Sequence, residues 1–385
     1  MVTDKFLIRE QNVSLVLNTI IRESEISRAK ISQISGLNKA SVSTITKDLI
    51  DNDLVFEIGE GEANKVGGRK PIILTFNHKA GLVLSMDLGP DYISGMLTYL
   101  NGEIINYENF EDIHLTSNNV FTYIVALYTQ LTSQEYPDTP YGIVGLSLAI
   151  HGTVKDNQIM LTPNYTIGNE FIEQLAQYLS MPIYLENEAN LAALGEYCFA
   201  GEYNHLVSLN IHTGIGAGFV QNGIIYQGFR GNSGEIGHSI IVPNGKACPC
   251  GNHGCLEQYA SLASLTGAIK KELKLDHVST QDIAQLYNKN EPVTQLVNEN
   301  ATYLSIAINN LGVLFDPEVI IINHPLYQAL PHLIDEVRAN LNSSLTTELI
   351  VHTSTLYNLA TLYGGVANVV KQYLNIEDLK FLKTK

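Results

Sequence analysis

The sequence predicts an α/β protein with a small N-terminal head, a body of two related lobes and a metal-binding loop. Three observations predict it. Between Asn12 and Phe76, three helical periodicities are followed by two short strands around a Gly-rich turn. From Leu82 onward, a plan of strand, Gly-containing loop, strand, Asn-Gly turn and strand occurs twice, about 120 residues apart. Within Gly234–Ser261, Cys248, Cys250 and Cys255 fall inside eight residues, with His238 ten residues upstream of Cys248.

At 385 residues the chain is long enough for two or three domains. It contains no run of about eighteen apolar residues, so no membrane-spanning helix is expected. The opening MVTDKFLIRE lacks the charged-then-apolar layout of a secretion signal. Four cysteines, three of them clustered, suit a reducing cytoplasm. The net charge of -16 argues against nucleic acid only until it is divided. Residues 1–80 carry 11 Lys and Arg against 10 Asp and Glu, and the remainder carries 12 against 29. Between Ser27 and Lys47, Arg28, Lys30, Lys39 and Lys47 stand with no acidic residue. Phosphate responds to local potential, so a basic head on an acidic body remains compatible with DNA.

In the head, Val13, Val16, Leu17, Ile20 and Ile21 mark an amphipathic helix from Asn12 to about Arg22. Ser27 caps a second helix through Ser35, with Ala29, Ile31 and Ile34 apolar. Gly36-Leu37 makes a turn, and Asn38 caps a third helix to about Asp51 with Val42, Ile45, Leu49 and Ile50 inward. That helix leaves Lys39, Ala40, Ser41, Ser43 and Thr44 on its N-terminal half. Helix-turn-helix proteins place this part in the major groove, where small hydroxyl residues reach base edges and Lys39 and Lys47 reach phosphates. Strands at Leu54–Ile58 and Ile72–Phe76 flank a turn carrying Lys65, Arg69 and Lys70, which makes a basic wing. Three-helix units also serve as interaction modules; the basic stretch together with the wing favours double-stranded DNA.

In the body, strands are expected at Leu82–Leu88, Tyr92–Leu100, Glu103–Phe110, Tyr141–Ile150, Pro182–Glu186, His205–Ile211, Ala217–Val220 and Ile224–Gln227. Helices are expected at Asn119–Ser133, Asn169–Leu179 and Glu188–Phe199. Two α/β lobes facing a cleft follow from this. Asn187 and Glu188, where a strand runs into a helix, and Glu235, His238 and Glu257 beside the cysteines supply the alternating donors and acceptors that a neutral polyol needs. Three thiolates and one imidazole form a closed tetrahedral donor set suited to structural zinc, with His253 as an alternative fourth ligand to His238.

Glu235-x-Gly237-His238 followed by Cys248-x-Cys250-Gly251-x-x-Gly254-Cys255-Leu256-Glu257-x-Tyr259-x-Ser261 resembles the signature of the ROK family of repressors, open reading frames and kinases. The resemblance covers residues 81–385, and the head of residues 1–80 resembles that of the xylose- and N-acetylglucosamine-repressor branch. It implies a winged helix-turn-helix joined to an actin-like (sugar kinase/RNase H-like) domain with lobes of roughly 81–190 and 191–385. It implies structural zinc on His238, Cys248, Cys250 and Cys255, and sugar contacts from Asn187, Glu188, Glu235, His238 and Glu257. In that scheme His238 is shared between metal and sugar.

Kinases of the family carry Asp at the position of Glu188, Asp-x-Gly-Gly-Thr where Asp87-Leu88-Gly89-Pro90-Asp91 stands, and Gly-Gly where Asn323-His324 stands. Three departures around one reaction, together with the head, lead to an expected non-enzyme: a cytoplasmic, homodimeric or tetrameric repressor released from its operator by a monosaccharide. Asn187-Glu188-Ala189-Asn190, shared with xylose repressors, favours D-xylose. The alternative is an active sugar kinase with an accessory DNA-binding head.

Overall fold

The computed structural model describes residues 5–61, 70–133, 136–163 and 165–381. Its contacts divide the chain into two compact units, residues 1–186 with 365–385, and residues 187–364.

The head lies in the first unit. Helix α1 (Lys5–Glu23) leads through strand β1 (Ile26–Ser27) to α2 (Arg28–Ser35) and α3 (Lys39–Asp51), then to β2 (Val55–Glu60) and β3 (Ile72–Phe76). Buried Val16, Leu17, Ile20 and Ile21 form the inner stripe of α1, and Ile31, Val42, Ile45 and Leu49 are buried on α2 and α3. Local chemistry sets the boundaries. Ser27 Oγ accepts from the Lys30 amide, Gly36 ends α2 at φ +72°, and Asn38 Oδ1 accepts from the Ser41 amide to start α3. Three details depart from the sequence expectation. The first helix begins at Lys5 rather than Asn12; Ile31 alone of the three apolar α2 residues is buried, with Ala29 and Ile34 exposed; and Ile26 pairs with Leu74, giving an antiparallel sheet of order β1-β3-β2.

The rest of this unit is built on β4 (Leu82–Leu88), β5 (Ile93–Tyr99), β6 (Ile104–Phe110), β7 (Ile143–Ile150) and β10 (Ile183–Asn187), with helices α4 (Val120–Ser133) and α5 (Glu170–Tyr178). A hairpin of β8 (Thr153–Lys155) and β9 (Gln158–Leu161), not expected from the sequence, follows β7. The sheet order is β6-β5-β4-β7-β10. Every residue of β4 and β5 is buried, and a core containing Leu84, Leu97, Leu127, Leu146 and Phe171 joins the sheet to both helices.

The second unit repeats the plan. After α6 (Glu188–Phe199) come β11 (His205–Ile211), β12 (Ile215–Gln221) and β13 (Ile224–Ile225), then α7 (Glu257–Ala260), α8 (Leu262–Leu273), α9 (Thr280–Leu286) and α10 (Glu291–Phe315). Strand β14 (Val319–Asn323), α11 (Pro325–Ala329), α12 (Leu333–Ala339) and β15 (Ile350–Thr353) complete it, and α13 (Ala360–Leu374) begins in it. The sheet order β13-β12-β11-β14-β15 matches the first sheet: third, second, first, fourth and fifth strand. Asn222 and Gly223 both take positive φ in the β12–β13 turn, as the Asn-Gly signal implies. Alternation gives the sheet two faces. Ala217 and Phe219 enter a core with Leu265, Leu304 and Leu311, whereas Gly216 and Gly218 face α6 closely enough that a Cβ on Gly218 would overlap the Ala189 carbonyl.

The unit boundary departs from the expected lobes at the C-terminus, because residues 365–385 group with the first unit. Val369 lies against Gly145, and Asp378 pairs with Arg22, so contacts distant in sequence override chain order.

Candidate functional site

The metal-ligating side chains sit on a loop folded by its own backbone. Bridges pair Ile240 with Cys255 and Ala247 with His253, while the amides of Cys248 and Gly251 bond to the carbonyls of Asn252 and Cys248. Gly251 and Gly254 take φ of +97° and +84°, and a Cβ on Gly254 would overlap the Val242 carbonyl, so this position requires glycine. Tyr259 supports the loop from outside, its hydroxyl accepting from the Lys246 amide at 2.7 Å.

This folding brings the ligand atoms of His238, Cys248, Cys250 and Cys255 within 4.8 Å of one another. His253, the alternative, is exposed and lies outside this set. Cys250 Sγ is 3.7 Å from Cys255 Sγ, and Cys248 Sγ is 3.6 Å from His238 Nδ1. Zinc bound to thiolates at about 2.3 Å in a tetrahedron separates its ligands by about 3.8 Å, so spacing and donor set both fit. Burial pushes the Cys248 thiol up to about 12 and raises that of Cys255, whereas the Asn252 backbone amide lowers that of exposed Cys250. A metal would therefore displace protons from two buried thiols, and its affinity would rise with pH.

Beside the loop stand the carboxylates. Glu257 Oε1 lies 3.1 Å from Cys248 Sγ and 3.5 Å from His238 Nδ1. His238 thus turns Nδ1 toward the cysteines. Glu235 precedes the short 3-10 turn Ile236–His238. Its carboxyl is pushed upward, first by loss of solvent around the group, with His238 opposing and Glu257 adding to the rise, although the residue as a whole is exposed. Asn187 caps α6, its Oδ1 accepting from the amides of Ala189 and Asn190 while its Nδ2 donates to Glu188 Oε2 at 2.7 Å. Its amide is therefore both a helix cap and the clamp that orients Glu188. A Cβ on Gly216 would be 3.7 Å from Glu188 Oε1 and one on Gly214 would be 3.5 Å from Glu257 Oε2, so both carboxylates face the same Gly loop.

Another polar set, in the first unit, was not anticipated. Tyr92 donates to Asp87 Oδ2 at 2.8 Å, while His151 Nε2 lies 2.9 Å from Asp87 Oδ1 and 3.0 Å from the Tyr92 hydroxyl. The Tyr92 ring covers Gly89 so closely that a Cβ there would overlap it. The signal available was the pairing of two polar strand ends, Asp87 on β4 and His151 after β7, which are parallel neighbours.

On the head, Lys39, Ala40, Ser43, Thr44 and Lys47 are exposed along α3 and Ser41 is half-buried. Arg28 is not available for phosphate, since it pairs with Glu57 at 2.8 Å and donates to Thr46. Lys70 is exposed; Arg69 and Lys65 lie outside the described residues.

Residues 83–368 match the ROK family. The chain belongs to the ROK family. It is 36% identical to the xylose repressor of Bacillus spizizenii, over 97% of this chain and 99% of that protein. Among solved structures it is similar to a ROK family transcriptional regulator, a homolog of the E. coli MLC protein, with a TM-score of 0.82, 28% identity and coverage of 95% and 96%. The ROK family glucokinase of Streptomyces griseus shares the fold over 76% of this chain and 100% of that one, with a TM-score of 0.67 and 22% identity. Residues 1–82 and 369–385 lie outside the ROK match, whereas the likeness to the xylose repressor and to the transcriptional regulator covers nearly the whole chain.

Proposed function

We propose that this ROK protein is a sugar-responsive transcriptional repressor that binds operator DNA through a winged helix-turn-helix and is released by a monosaccharide, D-xylose. One observation carries the reading. An exposed basic helix face over Lys39–Lys47 and a carboxylate–amide–imidazole cluster occur on one chain, in the layout of full-length repressor relatives. The N-terminal half of α3 enters the major groove, with Ala40, Ser41, Ser43 and Thr44 toward base edges. Lys39 and Lys47, and Arg69 and Lys70 on the wing, meet phosphates. Residues 1–80 are the DNA-binding domain and 81–385 the sensing domain. Two copies or four, arranged with two-fold symmetry, match a palindromic operator.

The sugar is held by Asn187, Glu188, Glu235, His238 and Glu257. The clamp from Asn187 orients the Glu188 carboxylate, which accepts from a sugar hydroxyl in this reading. Zinc, when bound, supplies a structural cross-link among His238, Cys248, Cys250 and Cys255. With His238 Nδ1 on the cysteine side, Nε2 is left for a sugar hydroxyl, and the zinc loop becomes one wall of the receptor. Phosphotransfer is not part of this reading, because Asp87 is already engaged by Tyr92 and His151 and the ring of Tyr92 lies over the loop that would receive a phosphate.

For the sugar to release DNA, it must bind the operator-incompetent state more tightly. A tenfold preference supplies about 1.4 kcal/mol. An electrophoretic shift of operator DNA with and without D-xylose tests the proposal; binding indifferent to the sugar would overturn it. Sustained sugar-dependent ADP release would instead establish a kinase, with Glu188 as its base.

A further inference from the structure

Helix α13 is uninterrupted from Ala360 to Leu374, yet its first turn groups with the second unit and the remainder with the first. At its start, Thr361 Oγ1 donates to the carbonyl of Glu188 at 3.4 Å, the main chain of a residue assigned to the sugar. Glycines bring this end against α6, where a Cβ on Gly195 would overlap the Ala360 carbonyl and one on Gly364 would overlap the Leu191 carbonyl. Helices in backbone contact have discrete arrangements and do not slide continuously past each other. The start of α13 is therefore tied to the segment that presents Asn187 and Glu188.

The far end of α13 is tied to the head. Asn375 takes φ of +52°, and the Ile376 amide returns to the Lys371 carbonyl, which turns the chain out of the helix. Ile376 and Leu379 are both buried, pinning the tail on either side of Asp378. Asp378 Oδ2 pairs with Arg22 Nη2 at 2.6 Å. Its carbonyl accepts from Arg22 Nη2 at 3.1 Å and from Asn18 Nδ2 at 3.0 Å. Asn18 and Arg22 are one turn apart on α1, so a single tail residue holds one face of the first head helix. The docking is incomplete: Asn18 Oδ1 and Arg22 Nε are buried without a hydrogen-bond partner among the described residues. Unsatisfied buried groups cost free energy and so weaken this docking.

We propose that Asp378 is a positioning residue for induction: its tail clasps α1, and α13 carries the ligand state of the Asn187–Glu188 segment to the DNA-binding head. This rests on the sugar-responsive reading above. The Arg22 and Asp378 side chains are 37% and 39% exposed, so the ion pair by itself contributes little stability. A purely structural role thus predicts unchanged induction when it is removed.

The test uses full-length wild type, Asp378→Ala, Arg22→Ala and the charge-swapped double variant R22E/D378R. Operator affinity is followed by fluorescence anisotropy with and without saturating D-xylose, and sugar binding by thermal shift. Both single variants are expected to show the wild-type thermal shift and to bind operator without sugar within about threefold of wild type. Their sugar-induced loss of operator affinity should shrink by about tenfold, with the swap restoring part of it. An induction ratio equal to wild type in both single variants overturns the proposal, as does loss of sugar binding in both. If wild type ignores the sugar, the repressor reading fails, and amide exchange judges the clasp separately. Asn12–Glu23 must then exchange faster in Asp378→Ala, and unchanged exchange overturns the clasp.

Discussion

Glu257 Oε1 accepts a hydrogen bond from Cys248 Sγ at 3.1 Å, joining a carboxylate of the polar cluster to a ligand of the metal loop. A thiolate cannot make that donation. A metal held by Cys248 would remove that donor from Glu257 Oε1, leaving the bond from Gln258 Nε2 at 3.3 Å. The metal state of Cys248 and the posture of Glu257 are thereby linked.

Cys250→Ser is accordingly expected to lose zinc, measured by elemental analysis, and with it the thermal shift produced by D-xylose. Operator binding should stay within about threefold of wild type, because the head has its own core. Retained zinc together with retained induction would contradict the ligand assignment.

Lys39→Ala and Lys47→Ala should weaken binding to operator and unrelated DNA alike. Each should reduce the slope of log affinity against log salt by about 1. An unchanged slope would remove that lysine from the phosphate contacts.

Two helical glycines should respond with opposite signs. Gly267 on α8 is exposed with open space around it, so Gly267→Ala should stabilise the protein by about 0.5–1 kcal/mol. At Gly364 an added Cβ would overlap the Leu191 carbonyl, so Gly364→Ala should destabilise by about 1–3 kcal/mol despite the better helix propensity. Denaturant midpoints for both variants check this.

His324 supplies a pH dependence. It is wholly buried, and burial, aided by His212, lowers its imidazole pKa to about 3, while the Leu326 amide bonds to Nδ1. Below the ordinary value of 6.5 the unfolded chain takes up a proton that the folded chain refuses. Its contribution to stability is therefore complete above that value and declines as pH falls toward 3. The slope approaches roughly 1.4 kcal/mol per pH unit. His324→Asn retains a helix cap without titrating, so its stability should fall by about 1 kcal/mol less than wild type between pH 6 and 5. Parallel curves would show that another group dominates.

Much of the fold was legible because its signals are local. Ser27 and Asn38 make the cap bonds that their positions imply, and β4, β11 and α6 keep the limits read from apolar runs. The cysteine cluster was legible because three of its four ligands lie within eight residues on a Gly-rich loop. The choice of His238 over His253 was not, since spacing allowed either and only the folded loop turns His238 Nδ1 to the cysteines. Local pattern also overcounted: Ala29 and Ile34 fit a helical stripe, yet a short helix at the edge of a three-helix unit has too little partner surface to cover them.

The sequence by itself determined the head, the repeated strand plan and the donor set for a metal, all written in periodicities and spacings of a few residues. Only the tertiary structure decided that Tyr92 and His151 close on Asp87, that the Asn187 amide clamps Glu188 while capping α6, and that the tail after Leu374 returns to α1. Except for the Asn187–Glu188 pair, these join residues brought together by chain paths from one strand's end to the length of the whole protein. Side-chain hydrogen bonds of that kind depend on where the packed sheets and helices place their ends, which no local pattern encodes.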